Sequence, residues 1–201
     1  LKRAVVLDYN KMRKTKQKIM RALGKAKTCR VLTKKGTDIT FKIPKIKPDK
    51  RKKGLRYKGN WGNLPSGEAY FAPLDANGVY VIDVSILNKK VDKPIRITVK
   101  DRYAVRIEGG KTAAMLRRTL KKLNDKNSYN IAELGIGINP RAKLTGNILE
   151  DEKVLGTCHI ALGSSFAIGG KIKAKCHLDG VIKNPTIIVD NKTIMKDGKL
   201  V

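Results

Sequence analysis

Cys29-Arg30-Val31-Leu32-Thr33-Lys34-Lys35-Gly36-Thr37-Asp38-Ile39-Thr40-Phe41-Lys42-Ile43 reads as a strand, a turn over Lys34–Thr37 and a returning strand over Asp38–Ile43. A strand pair closed by so short a turn runs antiparallel. Upstream, a helix is expected from about Asp8 to Lys27. Met12, Ile19, Met20 and Leu23 supply its apolar stripe, basic residues fill the other faces, and Gly24 falls near its end. Leu1–Leu7 reads as a short apolar strand or the end of a preceding element. Downstream, strands are expected at Ala69–Ala72, Gly78–Ser85, Ile95–Lys100 and Ala104–Glu108. A second helix is expected over Thr112–Leu123, with Ala113, Leu116, Leu120 and Leu123 at helical spacing. From Ala132 onward glycines are frequent and apolar runs short, which calls for tight turns and closely packed strands. The sum is an α+β fold with a mixed, largely antiparallel sheet and packed helices.

The chain has 201 residues, 41% of them hydrophobic, enough to build a core. No apolar run is long enough to span a membrane. No secretory pattern opens the sequence, which starts at Leu1. Cys29, Cys158 and Cys176 are odd in number and lack C-x-x-C spacing, so a reducing, cytoplasmic setting is expected. Cys158 and Cys176 each precede a histidine. On a strand each would face away from that histidine, so buried structural thiols are expected. The formal net charge is +28, and residues 1–60 carry 22 Lys and Arg against Asp8, Asp38 and Asp49. Such density points to a polyanion partner, or to a solvated lysine-rich surface. Pro44–Gly59 concentrates it in a surface loop, with Lys45, Lys47, Lys50, Arg51, Lys52, Lys53, Arg56 and Lys58.

The chemistry-bearing residues lie in the second half. His177-Leu178-Asp179 sits in a strand-like stretch, so His177 and Asp179, two apart, point to one face. An imidazole and a carboxylate projecting together suit a divalent ion such as Zn, Co or Mn. Ordinary buried histidines and a turn aspartate are the competing reading. His159 is the only other histidine. Glu133 stands in the apolar run Ile131–Gly137, where an unpaired carboxylate would be costly without a cation or donors. Glu68 ends the turn-rich Asn63–Gly67 segment, and a plain strand-edge glutamate is its alternative. Together Glu68, Glu133, His159, His177 and Asp179 could hold two divalent ions that activate a water between them. No G-x-S-x-G, H-E-x-x-H or Walker A pattern occurs. The pairs Gly109-Gly110 and Gly169-Gly170 read as turns.

Five segments, Asn63–Glu68, Ala132–Asn139, Gly146–Lys153, Gly156–Gly163 and His177–Asp179, resemble the thermophilic metalloaminopeptidases of the aminopeptidase T/S group. The resemblance runs from about Val31 to Val201. It implies an aminopeptidase T-like catalytic domain at 31–201, preceded by a basic N-terminal segment with a helix at 1–30. It also implies metal ligation by Glu68, Glu133, His159, His177 and Asp179, with Glu133 or Asp179 bridging and Glu68 either a ligand or a sharer of the general-base role. The expected function is dinuclear metal-dependent removal of N-terminal residues from peptides, in a possible homodimer. Two departures stand out. Phe166 occupies the position of a tyrosine near the family's metals, and the family's N-terminal domain is not in this sequence. Together with the charge of residues 1–60, Phe166 motivates an alternative: a family member that binds RNA or a ribonucleoprotein, with catalysis reduced or lost. Tyr57 and Trp61 would then stack on bases.

Overall fold

Asp8 stands just ahead of the long basic helix, and its Oδ1 accepts from the N–H groups of Asn10 and Lys11 at 2.9 and 3.0 Å. The computed structural model describes residues 2–46 and 63–201. The basic loop therefore lies mostly outside the described residues, as do Tyr57 and Trp61. A single turn, α1 (Lys2–Val5), comes first, followed by the capped helix α2 (Tyr9–Lys25). For Leu1–Leu7 the sequence suggests a short apolar strand or the end of a preceding element. One helical turn forms instead, because Ala4 is buried and its carbonyl accepts from Asn139 Nδ2 at 2.9 Å. That long-range anchor has no local sequence signature.

The chain then continues through β1 (Thr28–Leu32), β2 (Asp38–Lys42), β3 (Glu68–Phe71) and β4 (Asp75–Ile82). The short β5 (Ser85–Ile86) and β6 (Lys89–Lys90) form a hairpin of their own. After β7 (Ile95–Lys100) and β8 (Tyr103–Glu108) comes α3 (Lys111–Leu123). The remainder comprises β9 (Ile131–Gly137), α4 (Ile148–Asp151), β10 (Thr157–Gly163) and β11 (His177–Lys183). The chain closes with β12 (Thr186–Val189), β13 (Lys192–Lys196) and β14 (Lys199–Leu200).

Two main antiparallel sheets result. The larger has the order β14-β13-β12-β1-β2-β4-β7-β8 and the smaller β11-β10-β9-β3. The β1–β2 hairpin forms as its sequence suggests, pairing Cys29 with Phe41 and Val31 with Ile39. A continuous apolar core joins the sheets. The larger contributes Cys29, Val31, Ile39, Phe41, Tyr80 and Ile82, and the smaller Leu134, Ile136, Cys158, Ile160 and Ile182. Into the same core α2 sends Met12, Ile19 and Leu23, and α3 sends Leu116 and Leu120. Each such large aliphatic side chain contributes about 1.5–3 kcal/mol by leaving water. Because strand residues alternate, committing Leu134, Ile136, Cys158 and Ile160 to this core turns Glu133, Gly135 and His159 to the opposite face of the small sheet. No helix among the described residues is long and apolar enough to cross a membrane.

Candidate metal centre

Residues opposite one another in an antiparallel sheet share a face. In the small sheet Glu133 is opposite Ala161, which in turn is opposite Asp179. His159 is opposite Gly135, Gly135 opposite Tyr70, and Glu68 opposite Gly137. His177 begins β11 opposite Gly163. One face of four strands thus carries His177 and Asp179, His159, Glu133 and Glu68, separated by the small residues Ala161, Gly135 and Gly137. The small residues leave room for the imidazole and carboxylate groups to lean together.

They converge. His159 Nε2 lies 3.4 Å from Glu133 Oε1 and 3.5 Å from Glu68 Oε2. His177 Nε2 lies 3.3 Å from the other oxygen of Glu133 and 3.4 Å from Asp179 Oδ1. The His177 ring is aimed by its Nδ1, which donates to the Ser164 carbonyl at 2.7 Å. Glu133 and His159 are buried, whereas the His177 side chain keeps 33% of its exposure and marks the open rim. Burial disfavours charge on His159, but the hydrogen bond to Glu133 and the charges of Asp179, Glu133 and Glu68 outweigh it, lifting its pKa to about 9. The same balance, with Asp179 and Glu133 as partners, lifts His177 to about 11. Burial pushes Glu133 up, and the two imidazoles more than reverse this, bringing it down to about 2.

Two further residues complete the cluster. Glu152 and Lys153 follow α4 and are buried, and Lys153 Nζ lies 2.8 Å from Glu68 Oε2 and in close contact with Glu152 Oε1. Burial raises the Glu152 carboxyl. Burial also works against the Lys153 charge, but Glu68 and Glu152 raise it on balance. Ligand atoms of Glu133, His177 and Asp179, and likewise of Glu152, His159 and Asp179, lie within 4.8 Å of one another, so Asp179 belongs to both groups. Carboxylate and imidazole groups able to hold a divalent metal are therefore gathered on this face. Glu152 and Lys153 escaped the sequence reading, although Glu150-Asp151-Glu152 is a conspicuous acidic triplet in so basic a chain. All three acids are buried. Glu150 pairs with Arg3, and Asp151 accepts from Ser85 Oγ at 2.7 Å and from Thr145 N at 2.6 Å. Phe166 lies in a short turn with its ring exposed and Lys173 Nζ 4.4 Å from the ring centre. As the alternation implied, Cys158 is buried in the core, away from His159.

The family model for 2,5-dihydroxypyridine 5,6-dioxygenase (NicX) matches residues 2–201. The chain belongs to the NicX family. A 2,5-dihydroxypyridine 5,6-dioxygenase from Pseudomonas putida is 33% identical over 158 residues, which cover 71% of this chain and 45% of the relative. The solved structure of 2,5-dihydroxypyridine dioxygenase from P. putida KT2440 superposes with a TM-score of 0.87 at 25% identity, covering 98% of this chain and 61% of that one. Wild-type AmpT from Thermus thermophilus superposes with a TM-score of 0.70 at 17% identity, over 99% of this chain and 56% of AmpT. That last likeness is one of fold alone. The chain spans about half the length of the curated relative it matches.

NicX membership corrects the sequence reading. The chain is not assigned to the aminopeptidase T/S group, and a dinuclear peptide hydrolase is replaced by a dioxygenase family, an oxidoreductase class. The RNA-binding alternative falls with it. The physical reason is that imidazoles and carboxylates at this spacing specify metal donors, not a reaction. One scaffold can carry hydrolytic or oxidative chemistry.

Proposed function

We propose that this chain carries the metal-binding face of a dioxygenase that opens the ring of 2,5-dihydroxypyridine or a close hydroxylated heteroaromatic across its C5–C6 bond. One observation carries the reading: both imidazoles meet Glu133 and His177 also meets Asp179, in a chain matched over residues 2–201 by the NicX family. Two histidines and one carboxylate are the donor set of non-haem iron(II) oxygenases. At this cluster the buried His159 Nδ1 has no hydrogen-bond partner and Asp179 Oδ1 has only the 3.4 Å ion-pair contact with His177 Nε2, as suits a face built for a cation.

His159, His177 and Asp179 would hold the ion, with Glu133 as the adjoining carboxylate. Iron bound there supplies redox access to O2 and Lewis acidity toward a ring hydroxyl. The protein does the rest by position. The Ser164 carbonyl keeps the His177 ring turned inward. A substrate ring would approach from the exposed side at His177, opposite the buried His159 and Lys153. Glu68, partly exposed and beside His159, is the carboxylate suited to take a proton from the substrate hydroxyl.

The test is anaerobic loading of the metal-free chain with Fe(II), followed by addition of 2,5-dihydroxypyridine and oxygen. Expected are stoichiometric O2 uptake, loss of the aromatic absorbance and both atoms of 18O2 in the product. Iron-loaded protein that leaves both substrate and O2 unconsumed would overturn the proposal.

A further inference from the structure

Lys153 is one of the largest fully buried side chains among the described residues, and the reaction outlined above makes no use of its charge. Its ammonium lies 2.8 Å from Glu68 Oε2 and in close contact with Glu152 Oε1, side by side with the imidazole of His159, which reaches the same Glu68 oxygen at 3.5 Å. Glu68 and Glu152 each also belong to a group with metal-ligand spacing around His159. The cluster therefore has donors for two neighbouring cations. On one flank, Glu133 and Asp179 have imidazoles, not a lysine or arginine, as their ion-pair partners among the described residues. The other flank, Glu68 and Glu152, already grips a cation that belongs to the chain.

We infer that the Lys153 ammonium stands where a second divalent ion would otherwise bind, and so restricts this centre to a single metal. Charge supports the assignment. With both imidazoles neutral, as metal donors must be, the carboxylates of Glu68, Glu133, Glu152 and Asp179 together with the Lys153 ammonium leave three negative charges, which one divalent ion reduces to one. A second ion would turn the buried cluster positive and would have to displace a buried ammonium from its carboxylate oxygens. Paired ions sit about 3.5–4 Å apart, and the oxygens that would hold the second are the ones Lys153 occupies. The arrangement also explains why a buried lysine is tolerated here, since both its neighbours are carboxylates. It accounts, too, for how a set of donors that reads as dinuclear from sequence can serve chemistry needing one metal.

This inference rests on the metal-binding part of the proposed function and is independent of the substrate. Metal-free protein is titrated with Mn(II) under argon by calorimetry, and each point is read by electron paramagnetic resonance. The wild type should take up one equivalent and give the spectrum of an isolated ion. Two equivalents with a spin-coupled signal overturn the inference while leaving the dioxygenase reading intact, and no uptake at all overturns both. Lys153→Met removes the ammonium but keeps most of the side-chain volume, and should raise the count from one to two. Lys153→Arg should hold it at one. Folded Lys153→Met that still binds one ion overturns the role given to the lysine. Should Lys153→Met fail to fold, Lys153→Gln, which removes the charge but can still donate to the two carboxylates, takes its place: two ions support the role and one ion overturns it.

Discussion

The imidazole of His159 fills the space above Gly135, so closely that a Cβ at position 135 would lie 2.0 Å from its Nε2. The contact is forced by register, because the two residues are direct partners on adjacent strands. Gly135→Ala should therefore swing the ring away from Glu133 while leaving the apolar face of β9 in place. Metal affinity should fall by about 10- to 100-fold, the range seen when groups that orient ligands are lost. Calorimetric titration with Fe(II) or Mn(II) measures this, with circular dichroism confirming the fold.

His177 offers a cleaner cut, because it lies at the rim and not in the core. His177→Ala should abolish oxygen uptake and lower metal occupancy. The fold should survive but with lowered stability at neutral pH, because Glu133 and Asp179 lose the imidazole that pairs with them. Metal analysis after gel filtration and a denaturant titration separate the two effects.

The buried thiols predict an alkaline limb in stability. Burial, with some help from Asp190, pushes Cys29 up to about 12, and burial likewise raises Cys158. In the unfolded chain these thiols ionise near pH 8.5. Above that pH the unfolded state releases protons that the folded state retains, so stability falls as pH rises. The contribution is complete below about pH 8.5 and is lost as pH climbs toward 12, at about 1.4 kcal/mol per unit for each thiol. Guanidinium titrations between pH 8 and 11 should show a shallower decline for Cys29→Ala/Cys158→Ala. Alkylation of native protein should modify Cys176 alone, since it is the only thiol that is not buried.

Asp92 caps α3 from outside the helix. Its carboxylate accepts from Lys111 N at 2.8 Å and Thr112 N at 2.9 Å, where the helix's own Gly110 supplies no side-chain cap. A Cβ on Gly110 would come within 2.1 Å of Asp92 Oδ2. The donors of Thr112 and then Lys111 hold the Asp92 carboxyl well below the usual range. Asp92→Ala should lower the Tm at neutral pH, and Asp92→Asn should recover part of the loss. A depressed carboxyl stabilises above its unfolded pKa, about 3.9, and the benefit disappears as pH falls through the lower folded value. The gap between wild type and Asp92→Ala should accordingly narrow below pH 4, as thermal melts across the acid range would record.

What could be read from sequence was what local spacing controls. The β1–β2 hairpin and the stripes of α2 and α3 declare themselves by period, and the alternation in His177-Leu178-Asp179 puts two donors on one face. Convergence of Glu68, Glu133 and His159 with that pair depends on strand register, which no local pattern encodes. Glu152 and Lys153 look like ordinary surface charges until the chain after α4 folds over the small sheet. The turn at Lys2–Val5 depends on an amide 135 residues away. The reaction class was misread because shared donors conceal whether the bound metal hydrolyses or oxidises.

Three neighbouring acids carry a last implication. Glu150 fastens Arg3 of the N-terminal turn, Asp151 fastens Ser85 and the backbone of Thr145, and Glu152 meets Lys153 within the metal cluster. Successive residues thus act as rivets in three different plates of the molecule. A one-residue insertion or deletion here would unseat all three at once. Drift in this segment is therefore confined to substitution, and a disturbance at the amino-terminal turn is one ion pair and two residues away from the metal cluster.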